Sequence, residues 1–525
     1  MADWTRRKML TTGTAGVTAA LAGLPAGVAA QPASGTPTRG GTVTIAVNQA
    51  PPSLDPHMTS AQVSRDVTLQ MYETLYARDE NAKAVPDLAE GVDISKDGLT
   101  YVFKLRSGVK FHNGKTMGGR DAAASVDRFR KIGVTANLLG AVDTIQATGR
   151  LEVTIKLKGV QSNFLDILSS PRSPIAIYPE EEAVKPPKEF GFIGSGPFKF
   201  VEYMPDSHVT IERFADYVPN PNYKTRDGFA GRKQVYIDKA VFRFMPDQGS
   251  QLAALLAGEI DILEMVASGP TAKQLGSNPQ FKVFKVLPFA LQFGLFNHAQ
   301  PPCDDVNFRR AVSAALNMEE TMAIAYPDIY DMDGGWVFKN SEYYTKAGLE
   351  LYNINDQAKA KQWLQKSKYK GETLTFITDN ARYDVDCATD MKEQLGQIGI
   401  KIDVKVSDWP TVSQVGFTPN GWHLWTHGQG IEPFEGPATQ MSCFAAPNPN
   451  LYQIKDDPVI DRLYSSFKAE MDLEKRKAIF AQFQTHMYED AVCMVLGNYG
   501  IFQAVNTKLK NFVPYRIPRL WGVWL

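Results

Sequence analysis

The chain has no excess of charge of either sign: 56 Lys and Arg stand against 57 Asp and Glu, a net charge of -1. Without a basic field there is nothing to gather a nucleic-acid backbone or an anionic membrane surface, so nucleic acid is not an expected partner. Cysteine is scarce. Cys303, Cys387, Cys443 and Cys493 form no C-x-x-C pair, which indicates neither a zinc cluster nor a redox dithiol and leaves free thiols or one bridge. No stretch offers the roughly 20 consecutive apolar residues of a membrane span. Internal repeats, long low-complexity tracts and charged tails are missing as well.

What is present is ordinary globular material, 44% hydrophobic and 22% charged over 525 residues, enough for two or three domains with substantial cores. The first residues carry a separate message. Thr5-Arg6-Arg7-Lys8-Met9-Leu10 places a twin arginine before a short apolar run, Gly13 to Leu24, that ends in the small residues Val28-Ala29-Ala30. This resembles a twin-arginine export signal, with residues 1–30 removed and 31–38, QPASGTPT, as a polar leader. The alternative is a basic, frayed N-terminal helix. Export predicts a soluble protein outside the cytoplasm, and with no cysteine near the cleavage point a lipid anchor has nothing to attach to.

Periodicity predicts mixed sheets and helices in irregular alternation, an α/β or α+β class. Thr42–Val47 and Leu99–Leu105 alternate as strands, the latter after the turn signal Lys96-Asp97-Gly98. Ala122, Val126 and Phe129 form one helical stripe. Gln251–Ala257 reads as a helix closed by Gly258, with Glu259–Leu263 as the following strand. Phe308–Leu316 and Gln357–Leu364 read as helices, and Leu374–Ile377, Cys387–Leu395 and Ile400–Val406 as a βαβ-like unit.

Three motifs invite a chemical reading. His427-Gly428-Gln429-Gly430-Ile431-Glu432-Pro433 carries two glycines and a proline, which predicts a loop rather than a strand interior. His423 and His427 could pair on a metal if helical, but on a strand they stand about 13 Å apart, and Leu424 occupies the glutamate position of H-E-x-x-H. Gly194-Ser195-Gly196-Pro197 lacks a P-loop lysine and the G-x-S-x-G frame, so it reads as a tight turn before a strand at Phe198 to Val201. Glu180-Glu181-Glu182 reads as a solvated helix end. No catalytic constellation emerges.

Several stretches in order resemble the extracytoplasmic solute-binding proteins of peptide, nickel and opine ABC importers. They are Arg39-Gly40-Gly41-Thr42, Pro52-Ser53-Leu54-Asp55-Pro56, Met71-Tyr72-Glu73-Thr74-Leu75, Tyr101 to Gly114, Gly194 to Phe198, Gly258-Glu259-Ile260-Asp261 and Arg309-Arg310-Ala311-Val312. The resemblance implies an α/β fold of two lobes, the type II periplasmic-binding-protein fold, with a ligand enclosed in the interlobe cleft. Lobe one would comprise 39–290 plus 498–525, with an extra subdomain at about 85–187, and lobe two 291–497.

It also implies site residues. Aligned on Glu432-Pro433, the carboxylate with which peptide-binding relatives hold a ligand ammonium falls at Gln429, a neutral residue. The arginine that holds a ligand carboxylate in dipeptide-binding relatives falls at Thr378, with Arg382 nearby as a substitute. Trp409 matches a tryptophan of the ligand chamber, Trp425, Thr426, His427 and Gly428 the backbone-contact strand, and Pro52 heads a further ligand-facing motif. Core packing is the rival reading for the tryptophans, and the preferred one for Trp422. Cys443 matches a disulfide-bonded cysteine, yet no partner stands near Lys455. The expectation is a monomeric, non-enzymatic periplasmic receptor without metal or cofactor, taking a peptide or similar polar solute and engaging an inner-membrane ABC permease transiently. A nickel-chelate or opine receptor and a secreted hydrolase are the alternatives.

Overall fold

The computed structural model describes residues 35–266, 268–429, 436–448 and 450–525. The export signal at 1–30, the leader up to residue 34 and Gly430 to Pro433 of the glycine-rich motif lie outside the described residues, as does the side chain of Gln429.

The fold is α/β and two-lobed, built on one long mixed sheet. Across it the strands run Lys401–Ser407, Thr373–Asp379, Leu424–Gln429, Phe281–Phe296, Cys493–Asn506, Ile262–Leu263, Thr42–Val47, Lys239–Phe244, His208–Arg213 and Phe198–Met204. Two of these are far longer than the rest, Phe281–Phe296 with 16 residues and Cys493–Asn506 with 14, and they pair antiparallel with each other from Phe281↔Asn506 to Leu295↔Cys493. The pairing is interrupted between Val286 and Ala290. On one side of that interruption the ladder continues into lobe one through Ile262–Leu263, and on the other into lobe two through Leu424–Gln429.

Each lobe contributes a parallel set. Thr42–Val47 lies parallel to Lys239–Phe244 and Ile262–Leu263, and Thr373–Asp379 lies parallel to Lys401–Ser407 and Leu424–Gln429. Val43, Ile45 and Val47 are buried, and so is Ala46 on the opposite face, as a strand covered on both sides requires. The lobe-two unit crosses over through the helix Arg382–Gly396, whose Cys387, Ala388, Met391 and Leu395 face the sheet core. Ile262–Leu263 is shorter than the periodicity suggests. The amides of Glu259 and Ile260 turn back to Ala254 O at 2.9 and 3.4 Å, closing the preceding helix after Gly258, at φ +76°, instead of joining the ladder.

A separate antiparallel sheet, Ala89–Ile94, Thr100–Leu105, Glu152–Leu157 and Val142–Gly149, sits within the first lobe. The helix Gly119–Ile132 covers it with Ala122, Val126 and Phe129, all fully buried. This small sheet is tied to the main body by buried charges. Lys233 Nζ donates to both oxygens of Asp87 at 3.1 and 2.9 Å and to Glu73 Oε1 at 3.3 Å; Glu73 also accepts from Tyr217 at 2.8 Å and Ser195 at 3.1 Å. Ser195 therefore belongs to a structural turn. Neighbouring Gly194 and Gly196 lie so close to Met71 O that any Cβ would come within 2.2 and 2.7 Å of it. Glu182 departs from the solvated reading of its acidic run: it is buried and accepts from Gly191 N at 2.9 Å.

Candidate functional site

In open α/β sheets the ligand crevice forms outside the carboxyl ends of the parallel strands. Here two such sets point at one place. In lobe two, Leu424–Gln429 ends with Gln429 opposite Leu291; in lobe one, the chain leaving Leu263 bonds through Val266 N to Phe502 O at 2.9 Å. Both termini thus reach the middle of the two long strands, where the lobes meet.

His427 to Gln429, expected in a loop, are instead the last residues of a strand. The glycine permits this: a Cβ on Gly428 would stand 3.0 Å from the Tyr499 hydroxyl and 3.2 Å from Gln292 Oε1, so the strand passes the long strands at a distance few other residues allow. Beside it an aromatic group assembles. Trp409, 47% exposed at the start of the helix Trp409–Gly416, stacks on His427 with centroids 5.3 Å apart and planes 10° from parallel. His427 Nε2 and the Tyr452 hydroxyl are 3.3 Å apart and share a hydrogen bond. Burial, and then the positive charge of Arg172 from the first-lobe chain, hold His427 down to about 4, so at neutral pH it is an uncharged ring.

The remaining expected site residues divide. Trp425 is fully buried against Phe417, Trp422 and His427, so it supports the ring pair from behind and does not line the cleft as expected. Thr378 and Thr426 are sealed too. Thr426 Oγ1 donates to Thr378 Oγ1 at 2.8 Å, which fixes strand to strand and leaves neither hydroxyl for a solute. Arg382 lies on the outside of its helix, its side chain 74% exposed and paired with Asp386 at 3.2 Å, so it does not substitute for a ligand-holding arginine in this conformation. Pro52 is exposed. His423 and His427 have separate partners, His423 Nδ1 accepting from Thr375 N at 3.0 Å. Among the described residues the one trio close enough to hold a metal ion is Asp457, His486 and Asp490, in which His486 bonds Asp457 at 2.8 Å and Arg309 stands 3.5 Å from Asp490. None of the four cysteines is in a disulfide.

One polar group was not anticipated from sequence. Gln292, on the first long strand, donates to Asp384 Oδ1 at 2.6 Å and accepts from the Tyr326 hydroxyl at 2.7 Å. Tyr326 stacks on Tyr499 of the second long strand at 4.5 Å and 12°, with Tyr383 against both. Burial, followed by the field of Asp379, pushes the Asp384 carboxyl well above its ordinary range. The spacing Asp379 to Asp384, across a strand end and a helix start, was the available signal; the contact to Gln292 spans 92 residues and left none.

With this geometry in view, likeness to known proteins is informative. The profile of bacterial extracellular solute-binding proteins, family 5 (middle), matches residues 83–449, more than half of the chain. The chain belongs to that family. Among curated relatives, y4tO of Sinorhizobium fredii, a probable peptide ABC transporter periplasmic-binding protein, is 26% identical over 89% of this chain and 91% of its own length. The glutathione-binding protein GsiB of Pectobacterium atrosepticum is 26% identical over 95% and 94%. Among solved structures, the ABC transporter substrate-binding protein CtaP of Listeria monocytogenes superposes with a TM-score of 0.81 at 23% identity, covering 93% of this family 5 chain and 100% of CtaP. No helix among the described residues is long and apolar enough to cross a membrane.

Proposed function

We propose that this family 5 protein is the exported receptor of an ABC importer, capturing a peptide or similar small polar solute by hinge closure and presenting it to a membrane permease. The observation that carries this reading is the convergence of both sets of strand carboxyl ends on the middle of the two long strands, beside an exposed tryptophan stacked on a neutral histidine. Residues 39–290 with 498–525 act as lobe one, with its subdomain at about 85–187, and residues 291–497 as lobe two; the two long strands are the crossings. A solute touching both lobes stabilises the closed arrangement because the open one cannot make both sets of contacts. Trp409 supplies area without a charge requirement, and Gln429 offers an amide in place of a carboxylate. Relatives named for peptide and glutathione binding support a peptide-like solute.

The protein acts by binding, as a monomer in the periplasm after export by the twin-arginine route, without metal or cofactor. Native mass spectrometry of the exported protein as purified, followed by denaturing release, tests the reading. A mixture of short peptides is expected; a single non-peptide mass, a metal chelate or turnover of added peptides would refute it. Added ligand at about 100 times its Kd should raise unfolding stability by about 2.7 kcal/mol.

A further inference from the structure

The part of lobe one that carries the small antiparallel sheet also touches lobe two, away from the long strands. Between the strand Glu152–Leu157 and the short helix Phe164–Leu168 the chain turns through Gln161, Ser162 and Asn163. All three polar groups of Ser162 bond to residues between 305 and 314 positions later. Its N–H donates to Lys468 O at 2.8 Å, its Oγ donates to Phe467 O at 2.9 Å, and its carbonyl accepts from Arg476 Nη1 at 3.2 Å. Phe467 and Lys468 belong to the last turn of the helix Pro458–Ala469, where carbonyls lack partners within their own helix, so lobe one caps a helix of lobe two. Arg476 comes from the next helix, Leu473–Glu489, and is braced over the Tyr343 ring at 5.9 Å. Between these helices Met471 reaches the hairpin beside Ser162: a Cβ on Gly98 would stand 3.5 Å from its Sδ and 3.6 Å from Val160 Cγ2.

These contacts are made by protein groups alone, so they favour the closed arrangement by the same amount whichever solute is bound. They are also incomplete. Gln161 Oε1 and Asn163 Oδ1, on either side of Ser162, and Nε of Arg476 are shut off from solvent without a hydrogen-bond partner. Asn163 stands at the N-cap of its helix and does not cap it. A buried polar atom left unpaired costs at least about as much as a hydrogen bond contributes. Because the three atoms flank the contact, parting the turn from the helices returns water to them. Three bonds made against three groups kept dry bring closure near balance, so the contact neither locks the lobes together nor leaves them indifferent.

We propose that Ser162 and Arg476 form a clasp between the small subdomain and lobe two, which keeps a fraction of the solute-free molecules closed and slows release of every solute by one common factor. The clasp rests on the reading of two lobes that close on a solute, and gives the subdomain a part in that motion. Tolerance of varied solutes follows, because part of the closing free energy comes from the protein and less is demanded of any one solute group.

The full exported chain, freed of solute by unfolding and refolding, tests this. Nitroxides are placed on Lys158→Cys and Lys475→Cys, both exposed positions, with Cys443→Ser to leave only buried native thiols. Double electron–electron resonance should show a closed population in the otherwise unchanged chain. Ser162→Ala with Arg476→Met removes two of the three bonds and should lower the closed-to-open ratio by about tenfold; Ser162→Ala alone, the milder change should the pair not refold, should lower it by about threefold. Gln161→Met, which removes an unpaired oxygen, should raise the ratio. Identical distributions in these proteins, a wild type that is wholly open, or a fall for Gln161→Met overturns the clasp. Solute exchange is read separately with Ala-Ala-Ala and Ala-Phe-Ala by stopped flow and calorimetry. The double variant should release both peptides faster by one common factor; unequal factors would mean that Ser162 or Arg476 touches the solute, and overturn the clasp. If the wild type binds neither peptide, the peptide reading fails while the distance measurement still decides the clasp.

Discussion

Replacing Lys233 by methionine removes the cation at the centre of the network that joins the small sheet to lobe one. Its side chain and those of Glu73 and Asp87 are 1 to 3% exposed, so no water can take its place. Burial works to discharge the ammonium, but Asp87 and Glu73 outweigh it and the Lys233 pKa ends above its ordinary value; Asp87, buried against that attraction, is pushed up to about 6. After the substitution two carboxyl groups share the site with Arg106, whose guanidinium is 3.9 Å from Glu73. Breaking a buried pair by removing one partner costs about 3–5 kcal/mol, a large part of the roughly 5–15 kcal/mol that holds a protein folded. Urea unfolding followed by tryptophan fluorescence suits the measurement, because the Trp521 ring centre lies 5.9 Å from Lys233 Nζ. The loss should depend on pH with a definite sign. Carboxyl groups with raised folded pKa values lose stability as pH climbs from the ordinary carboxylate range through the folded value, so the variant's deficit should be larger at pH 8 than at pH 5. A deficit below about 1 kcal/mol, or one flat across that range, would refute the view that these charges hold the sheet in place.

Gly428→Ala should cost about 1–3 kcal/mol by overpacking against Tyr499 and Gln292, and should weaken solute binding in calorimetry; unchanged affinity would place the solute elsewhere. For His427, lowered to about 4 against an ordinary 6.5, the unfolded chain takes up the proton first, so folding stability falls as pH drops through that window. In acid denaturant titrations His427→Gln should gain on the wild type by up to about 3 kcal/mol between pH 6.5 and 4; parallel curves would show the ring to be solvated. Trp409→Ala should leave stability within about 0.5 kcal/mol because the ring is half exposed. Its affinity for solute should nevertheless fall by up to about tenfold, the worth of one aromatic contact, and equal affinity would remove Trp409 from the cleft.

Much of the fold was legible because it rests on local periodicity. The stripe Ala122, Val126, Phe129 does face the small sheet, and the strand–helix–strand unit around Cys387–Leu395 is parallel as its spacing implies. The misreadings have a common cause in contacts between distant segments. Composition alone makes His427 to Gln429 a loop, and only the neighbouring Gln292 and Tyr499 explain why a glycine there serves a strand. Trp425 and Thr378 carry the right residue types for a site but face inward, a fact that depends on the register Ile377↔Trp425 rather than on either residue.

The two long strands have a mechanical consequence. Because they are hydrogen-bonded to each other on both sides of the Val286 to Ala290 interruption, the connection between lobes is a leaf spring rather than a pair of slack tethers. Its length is set by covalent geometry, at about 3.3 Å per residue, and its twist by the ladder, so the lobes can rock but can neither drift apart nor rotate freely. Inserting one residue into either strand would reverse which side chains face each surface beyond that point, detaching Tyr499 from Tyr326 or Gln292 from Asp384. Length changes that surface loops absorb should therefore be rejected here.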